Sequence, residues 1–298
     1  MTLEHILPRI SHWQGKALTT SVLSGGITNQ NFKVEVEGQS FVLRVGGNNT
    51  ELLGIDRAQE NIATRAAASV GIGPEVLDFV QPEGWLVTRF ITGKPVPPPE
   101  MSQPENLRRV AQLLQRIHAL PPITATFSPF RIVEMYDATA RRLGVNTFPE
   151  NYAWLRARLA EIEAAFLREP FAPRLCHNDL LNENFLDDGA LRLIDWEYAG
   201  MGDVFFDLAN FAVNHGLNDE QDQLLLDAYF APATPRHRAR HKLMKIASDF
   251  REAMWGVVQQ GISQLDFDFK GYADKHFARM TENFNDARFA IWLGELNG

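Results

Sequence analysis

The chain has 298 residues, 45% of them hydrophobic and 22% charged, enough apolar material for two lobes with substantial cores and too much for a disordered chain. A net charge of -8 disfavours a nucleic-acid partner and suits a cationic ligand, and the single cysteine, Cys176, excludes an internal disulfide. No apolar run reaches membrane-span length and residues 1–9 lack the apolar core of a secretory leader, so a cytoplasmic protein without a membrane span is expected.

Leu3, Ile6, Leu7 and Ile10 recur at helical spacing, which predicts a short amphipathic helix over residues 3–14, capping the first lobe. Two strands then flank a turn holding Gly25, Gly26, Thr28 and Asn29. Paired glycines make plain hairpin turns, and they also let backbone N–H groups approach and cradle phosphate oxygens. In the strand predicted over 40–45, alternation puts Phe41, Leu43 and Val45 on one face and Val42 and Arg44 on the other. Arg44 is either a solvated strand cation or a fork for phosphate. Residues 56–70 read as a helix with Asp56 as N-cap and Gly71 past its end. Glu60, early in that helix, either complements the helix terminus or pairs with Arg44.

Two more strands, 75–80 and 85–90, complete a five-stranded first lobe (residues 1–92). Residues 93–102 form a proline-rich linker in which regular hydrogen bonding is not expected. The second lobe (103–298) reads as mainly helical, with an apolar stripe from Leu107 to Ile117 ending at a packed or capping His118, and helices over 132–143 and 152–166. The fold class is therefore α+β and bilobal, a small antiparallel-sheet lobe followed by a larger helical one.

The chemistry concentrates in residues 175–197. His177-Asn178-Asp179-Leu180 and Asn184 have the spacing H-x-D-L-x-x-x-N, between two short apolar strands, and the second strand ends on Asp195. Phosphoryl transfer to a hydroxyl needs a group to position the acceptor and take its proton, plus oxygen ligands for Mg2+. Asp179 fits the first requirement, Asn184 and Asp195 the second. His177 reads as structural. Asp207, in a helix opening at 207–211, either caps that helix or accepts hydrogen bonds from the loop around His177.

Residues 175–211, with Asp195-Trp196-Glu197-Tyr198 and Asp207-Leu208-Ala209-Asn210, resemble the signature shared by choline/ethanolamine kinases and aminoglycoside phosphotransferases. The resemblance implies a protein-kinase-like bilobal fold and ATP with Mg2+ as cofactors. Gly25, Gly26, Thr28 and Asn29 match the segment that lies over the phosphates, and Arg44 and Glu60 the pair that orders them. The adenine is expected near residues 88–91. No D-F-G follows, because Trp196 and Glu197 come after Asp195, so a small-molecule kinase is implied over a protein kinase. Glu197 is expected at the substrate or at a second metal.

Residues 247–273 resemble the choline kinase region whose aromatics surround a trimethylammonium group, and Trp255 and Tyr272 fall on matching positions. Aromatic faces suit a cation that has no N–H to donate, although both rings also read as helix packing. One turn before Trp255 the family has a further tryptophan, and here Glu252 stands in its place. Glu252 either offsets a cation or signals a different acceptor. The implied partner is a small amino alcohol, choline first. Alternatives are an aminoglycoside, thiamine or a sugar as acceptor, or a nucleotide-binding module without turnover.

Overall fold

The structure is a computed structural model that describes residues 3–23 and 28–297. Gly25 and Gly26 lie outside the described residues. The chain opens with one α-helical turn, α1 (Leu3–Ile6), and two 3-10 turns, Leu7–Arg9 and Ser11–Trp13, in place of the single helix expected over 3–14. Pro8, with no N–H to donate and a ring that crowds the preceding turn, explains the break. The apolar side chains Ile6, Ile10 and Trp13 remain buried against the sheet.

Five strands form an antiparallel sheet in the order β1-β2-β3-β5-β4: β1 (Leu18–Leu23), β2 (Asn29–Val36), β3 (Gln39–Gly46), β4 (Val76–Val80) and β5 (Trp85–Arg89). As alternation requires, Phe41 and Leu43 are buried in a core with Val34, Val87 and Trp85, while Arg44 lies on the opposite face. Helix α2 (Arg57–Ser69) starts at Asp56, whose carboxylate accepts from the backbone N–H of Ala58 and Gln59. Its buried Ala63 and Ala67 pack with the hydrophobic core of the later helices, so packing crosses the boundary drawn at residue 92.

The proline-rich segment is more regular than expected. Strand β6 (Lys94–Pro95) pairs antiparallel with Leu186 and Asp187, and α3 (Pro98–Met101) is a helical turn. A proline lacks only the donor; its carbonyl and the lysine N–H remain available at a sheet edge.

The rest is helical apart from short strands: α4 (Pro104–His118), α5 (Pro129–Arg142), α6 (Tyr152–Arg168), β7 (Arg174–Cys176), β8 (Phe185–Asp187), β9 (Leu191–Leu193), β10 (Gly200–Gly202), α7 (Val204–Asn214), α8 (Asp219–Phe230), α9 (Pro235–Ile262), α10 (Phe269–Asn285) and α11 (Phe289–Asn297). Strands β6-β8-β9 and β10-β7 make two small sheets that fix the ends of the segment 177–184. Helix α9 is buried along most of its length and packs on α5, α7, α10 and α11. Gly256 lets α9 and α10 pack closely: a Cβ there would lie 3.0 Å from the Phe269 carbonyl and 3.1 Å from the Tyr272 ring. Among the described residues, no helix is long and apolar enough to cross a membrane.

Candidate active site

The segment after β7 turns sharply, with Asn178 at φ 67° and Asp195 at φ 68°, left-handed conformations that Asn and Asp tolerate better than most residues. Asp207 holds the first turn. Its Oδ2 accepts from the His177 backbone N–H at 2.9 Å and its Oδ1 from that of Asn178 at 2.7 Å. The N-cap of α7 is Asp203, so Asp207 sits in the first turn of the helix and faces the loop. Asn210, one turn on, accepts from the Leu180 N–H at 2.7 Å.

His177 is fully buried, and burial drives its pKa down to about 4. The neutral ring donates from Nε2 to the Ile194 carbonyl at 3.0 Å and accepts the Asp179 N–H at Nδ1 (3.3 Å), tying the two halves of the segment together. His118, Cys176 and Asp207 bring ligand atoms within 4.8 Å of one another. Their environment is already satisfied without an ion: His118 bonds the Tyr229 hydroxyl and Asp207, and burial pushes the Cys176 thiol up.

Asp179, 8% exposed, lines a cavity of about 480 Å3 together with Asn184, Asp195, Glu197, Trp255 and Tyr272. A second cavity, of about 340 Å3, lies between the sheet and the Ile194–Trp196 turn, and the stretch 88–91 forms one of its sides. Asp195 lines both. In the second cavity Arg44 Nη1 meets Glu60 Oε1 at 2.7 Å and Asp195 Oδ1 at 2.5 Å. Burial alone would lower the Arg44 pKa, but Asp195, Glu60 and Glu197 hold it above the ordinary arginine value.

The oxygen donors suit a hard cation. The Asn184 amide nitrogen donates to the Asp179 carbonyl at 2.9 Å, which leaves Oδ1 available to a cation, and Asp195 keeps Oδ2 beyond its bond to Arg44. Glu197 is differently placed. Its Oε1 accepts from Thr28 Oγ1 at 2.7 Å, and its Oε2 from Asn29 Nδ2 at 2.8 Å and Arg57 Nη1 at 2.9 Å. Both oxygens therefore fasten Thr28 and Asn29, at the start of β2, to the segment that follows Asp195. Gly47 completes this clamp: its N–H donates to the Thr28 carbonyl at 3.0 Å, and a Cβ there would lie 2.3 Å from that oxygen.

At the far end of the larger cavity the Trp255 and Tyr272 rings lie 5.5 Å apart at 68°, with Phe267 6.2 Å from Tyr272. Glu252 does not stand there as a free carboxylate. Arg251 Nη1 meets its Oε1 at 2.7 Å, Asn210 Nδ2 donates to the same oxygen at 3.0 Å, and the Tyr272 hydroxyl donates to Oε2 at 2.7 Å. Burial opposes ionisation of Glu252, but Arg251, His276 and the Tyr272 hydroxyl hold its carboxyl below the usual value. Arg251 also reaches Asp179 Oδ1 at 3.3 Å, and its guanidinium lies 4.5 Å from the centre of the Tyr198 ring. Burial pushes the Asp179 carboxyl up to about 8; Arg251 opposes the rise and the nearby Glu252, Asp195 and Glu197 add to it.

The structure thus gathers Thr28, Asp179, Asn184, Asp195, Glu197, Glu252, Trp255 and Tyr272 around one cavity, with Arg44 and Glu60 in the adjoining one and His177 and Asp207 beneath. Arg57 and Arg251 carry no role in the sequence reading. Arg57 bridges Glu60, Glu197 and Asn29.

A sheet lobe and a helical lobe meeting at an Asp-Asn-Asp set define a phosphotransferase of protein-kinase-like fold. Residues 19–243 match the model of the phosphotransferase enzyme family. Human ethanolamine kinase 2 is 28% identical over 299 residues, covering 88% of this chain and 75% of that protein. Protein LicA of Haemophilus influenzae is 26% identical over 262 residues, covering 84% and 76%. The crystal structure of a choline/ethanolamine kinase family protein from Mesorhizobium loti superposes with a TM-score of 0.82 at 30% identity, over 99% of this chain and 97% of that one. The chain belongs to the phosphotransferase enzyme family and, within it, to the choline/ethanolamine kinases.

Proposed function

We propose that this chain transfers the γ-phosphoryl group of ATP to the hydroxyl of a small amino alcohol, of which choline and ethanolamine are the simplest. The observation that carries this reading is Asp195, which lines both the cavity beside the sheet and the cavity holding Asp179, Trp255 and Tyr272. A nucleotide in the first and an acceptor in the second would meet at that carboxylate. The names of the human, Haemophilus and Mesorhizobium relatives point the same way.

In this mechanism Asp179 acts as the carboxylate, the form favoured once bound cations offset the neighbouring Asp195, Glu197 and Glu252: it accepts the hydrogen bond of the acceptor hydroxyl and takes its proton as the oxygen bonds to the γ-phosphorus, while the bridging oxygen leaves with ADP. Asn184 Oδ1 and Asp195 would hold Mg2+, which when bound offsets the negative charge of the phosphates. Arg44, steadied by Glu60, and the turn carrying Thr28 and Asn29 order the phosphate groups. The rings of Trp255, Tyr272 and Phe267 take the ammonium end, each favourable cation–ring contact contributing ~0.5 to 2 kcal/mol. His177 stays neutral and structural.

The test is Mg2+-dependent ADP release with choline, ethanolamine, thiamine and an aminoglycoside supplied separately. Turnover with choline or ethanolamine supports the reading; turnover only with thiamine or the aminoglycoside moves the acceptor elsewhere. Silence with all four leaves a nucleotide-binding module.

A further inference from the structure

Arg57 lines neither the cavity beside the sheet nor the acceptor cavity, yet three separate pieces of the chain meet at its guanidinium. Nη1 donates to Glu60 Oε2 at 2.7 Å, one turn on in α2, and to Glu197 Oε2 at 2.9 Å in the segment after β9. Nη2 donates to Asn29 Oδ1 at 2.7 Å, at the start of β2. Asn29 in turn donates to Glu197, so Arg57, Asn29 and Glu197 close a ring in which each bonds the other two. Through Glu60, whose other oxygen takes Arg44, the bonds run on to Asp195. Each link involves an ionised group, which holds its partner more firmly than a neutral one does.

The fold makes room for this side chain. A Cβ at Gly84, in the turn between β4 and β5, would lie 2.6 Å from the Arg57 Cβ, and one at Gly46, the last residue of β3, 3.2 Å from its Nε. Larger residues there would push the guanidinium off its three partners. Lysine is no substitute, because an ammonium is a single point charge, whereas the planar fork serves acceptors in different directions at once. Since Arg57 reaches neither cavity, it can serve the reaction only through the groups it holds. Those groups flank Asp195: Thr28, fixed by Glu197, lines the acceptor cavity, and Arg44, fixed by Glu60, lines the other.

We propose that Arg57 is a positioning residue for the terminal phosphates of the nucleotide: by holding Asn29 and Glu197 against α2 it sets Thr28 and Arg44 on either side of Asp195, and so makes the protein prefer a triphosphate to a monophosphate of the same base. The inference rests on the kinase reading for where the nucleotide lies, not for the bonds that Arg57 makes.

AMP and ATP, each with Mg2+, form the probe pair, since they share base and ribose and differ only in the two further phosphates. Calorimetric titration of the intact protein reads binding without turnover. Wild type is expected to bind ATP about tenfold or more tighter than AMP. Arg57→Lys keeps a cation beside Glu60 and Glu197 but loses the fork; it should lower ATP affinity about tenfold while AMP affinity and the acceptor KM stay within about twofold. Arg57→Gln combined with Glu197→Gln removes both charges together and leaves Glu60 paired with Arg44, so it should show the same selective loss from a folded chain, which thermal melting checks. Equal affinities for the two nucleotides in wild type, or losses in the folded variants that are equal for both nucleotides or absent, would overturn the proposal. An ATP preference that the variants abolish, without ADP release on any acceptor, would keep the positioning role and sink the kinase reading. ADP release with choline or ethanolamine, while the folded variants keep the ATP preference, would do the reverse.

Discussion

On the side of Asp195 that faces the sheet and α2, Arg44 and Arg57 each bridge carboxylates from distant parts of the chain: Glu60 with Asp195, and Glu60 with Glu197. On the acceptor side, Arg251 and Glu252 are neighbours in one helix and offset each other in place. The first arrangement ties the sheet, α2 and the segment after β9 together with charges that phosphates and a cation can share. The second closes the floor of a pocket, leaving the rings and Asp179 to line the open cavity. Charge is thus connective on one side and locally neutralised on the other.

The sharpest test of this contrast is Asp179 itself, which belongs to the acceptor side chemically and touches neither Arg44 nor Arg57. Asp179→Asn should lower turnover about 10^3-fold while ATP affinity, read by nucleotide titration, stays within about threefold. Near wild-type ADP release from a folded variant would remove Asp179 from its role.

Removing one arginine from each side should separate the two designs next. Arg251→Met leaves Glu252 buried with no cationic partner at bonding distance among the described residues, and should cost about 3–5 kcal/mol in denaturant unfolding. Adding Glu252→Leu should recover most of it. Arg44→Met leaves Glu60 still paired with Arg57 at 2.7 Å, so the loss there should be smaller, about 1–2 kcal/mol. Equal losses would mean that the Arg251–Glu252 pair is no more self-contained than the pairs across the cleft.

Much of the site was legible because its parts are local. The spacing of Asp179, Asn184 and Asp195 sits within two short strands and a loop, and the cap at Asp56 places Glu60 on a helix face toward Arg44. Arg57 and Arg251 were missed for a physical reason: an arginine beside an acidic residue on a helix reads as a solvated pair, and residue type does not report burial. The available signal was context. Arg251 and Glu252 interrupt a run in which Ile246, Ala247, Phe250, Ala253 and Met254 face the core on every side, leaving a charged pair no route to solvent. Likewise the pairing of Lys94–Pro95 depends on Leu186 and Asp187, some ninety residues away, and no local pattern announces it.

A smaller effect follows from the raised Asp179 pKa. The folded chain holds this proton up to about pH 8, whereas the unfolded chain releases it near 3.9. Its contribution to stability is therefore complete below about pH 4 and is lost as pH rises towards 8. Without nucleotide or Mg2+, the melting temperature of Asp179→Asn should gain roughly 5 °C on wild type as pH rises from 6.5 to 8.5. His177, with a depressed value of about 4, destabilises only as pH falls from 6.5 through 4, so the window from 6.5 to 8.5 isolates Asp179. A melting difference that does not change with pH would place Asp179 in the ordinary carboxylate range.

The smallest effects distinguish the rings from the polar floor. Trp255→Ala removes a ring that lines the cavity and the indole N–H that donates to the Tyr198 hydroxyl at 3.2 Å, and should raise the acceptor KM about tenfold with little change for ATP. Tyr272→Phe keeps the ring 5.5 Å from Trp255 and deletes only the hydroxyl that donates to Glu252 Oε2. If the ring carries recognition, the acceptor KM should move by no more than about threefold, because Arg251 and Asn210 still satisfy Oε1 and only one neutral donor is lost. If Tyr272→Phe matched Trp255→Ala, the hydroxyl would be the recognising group, and the floor of the acceptor pocket would have to be read as part of the substrate contact.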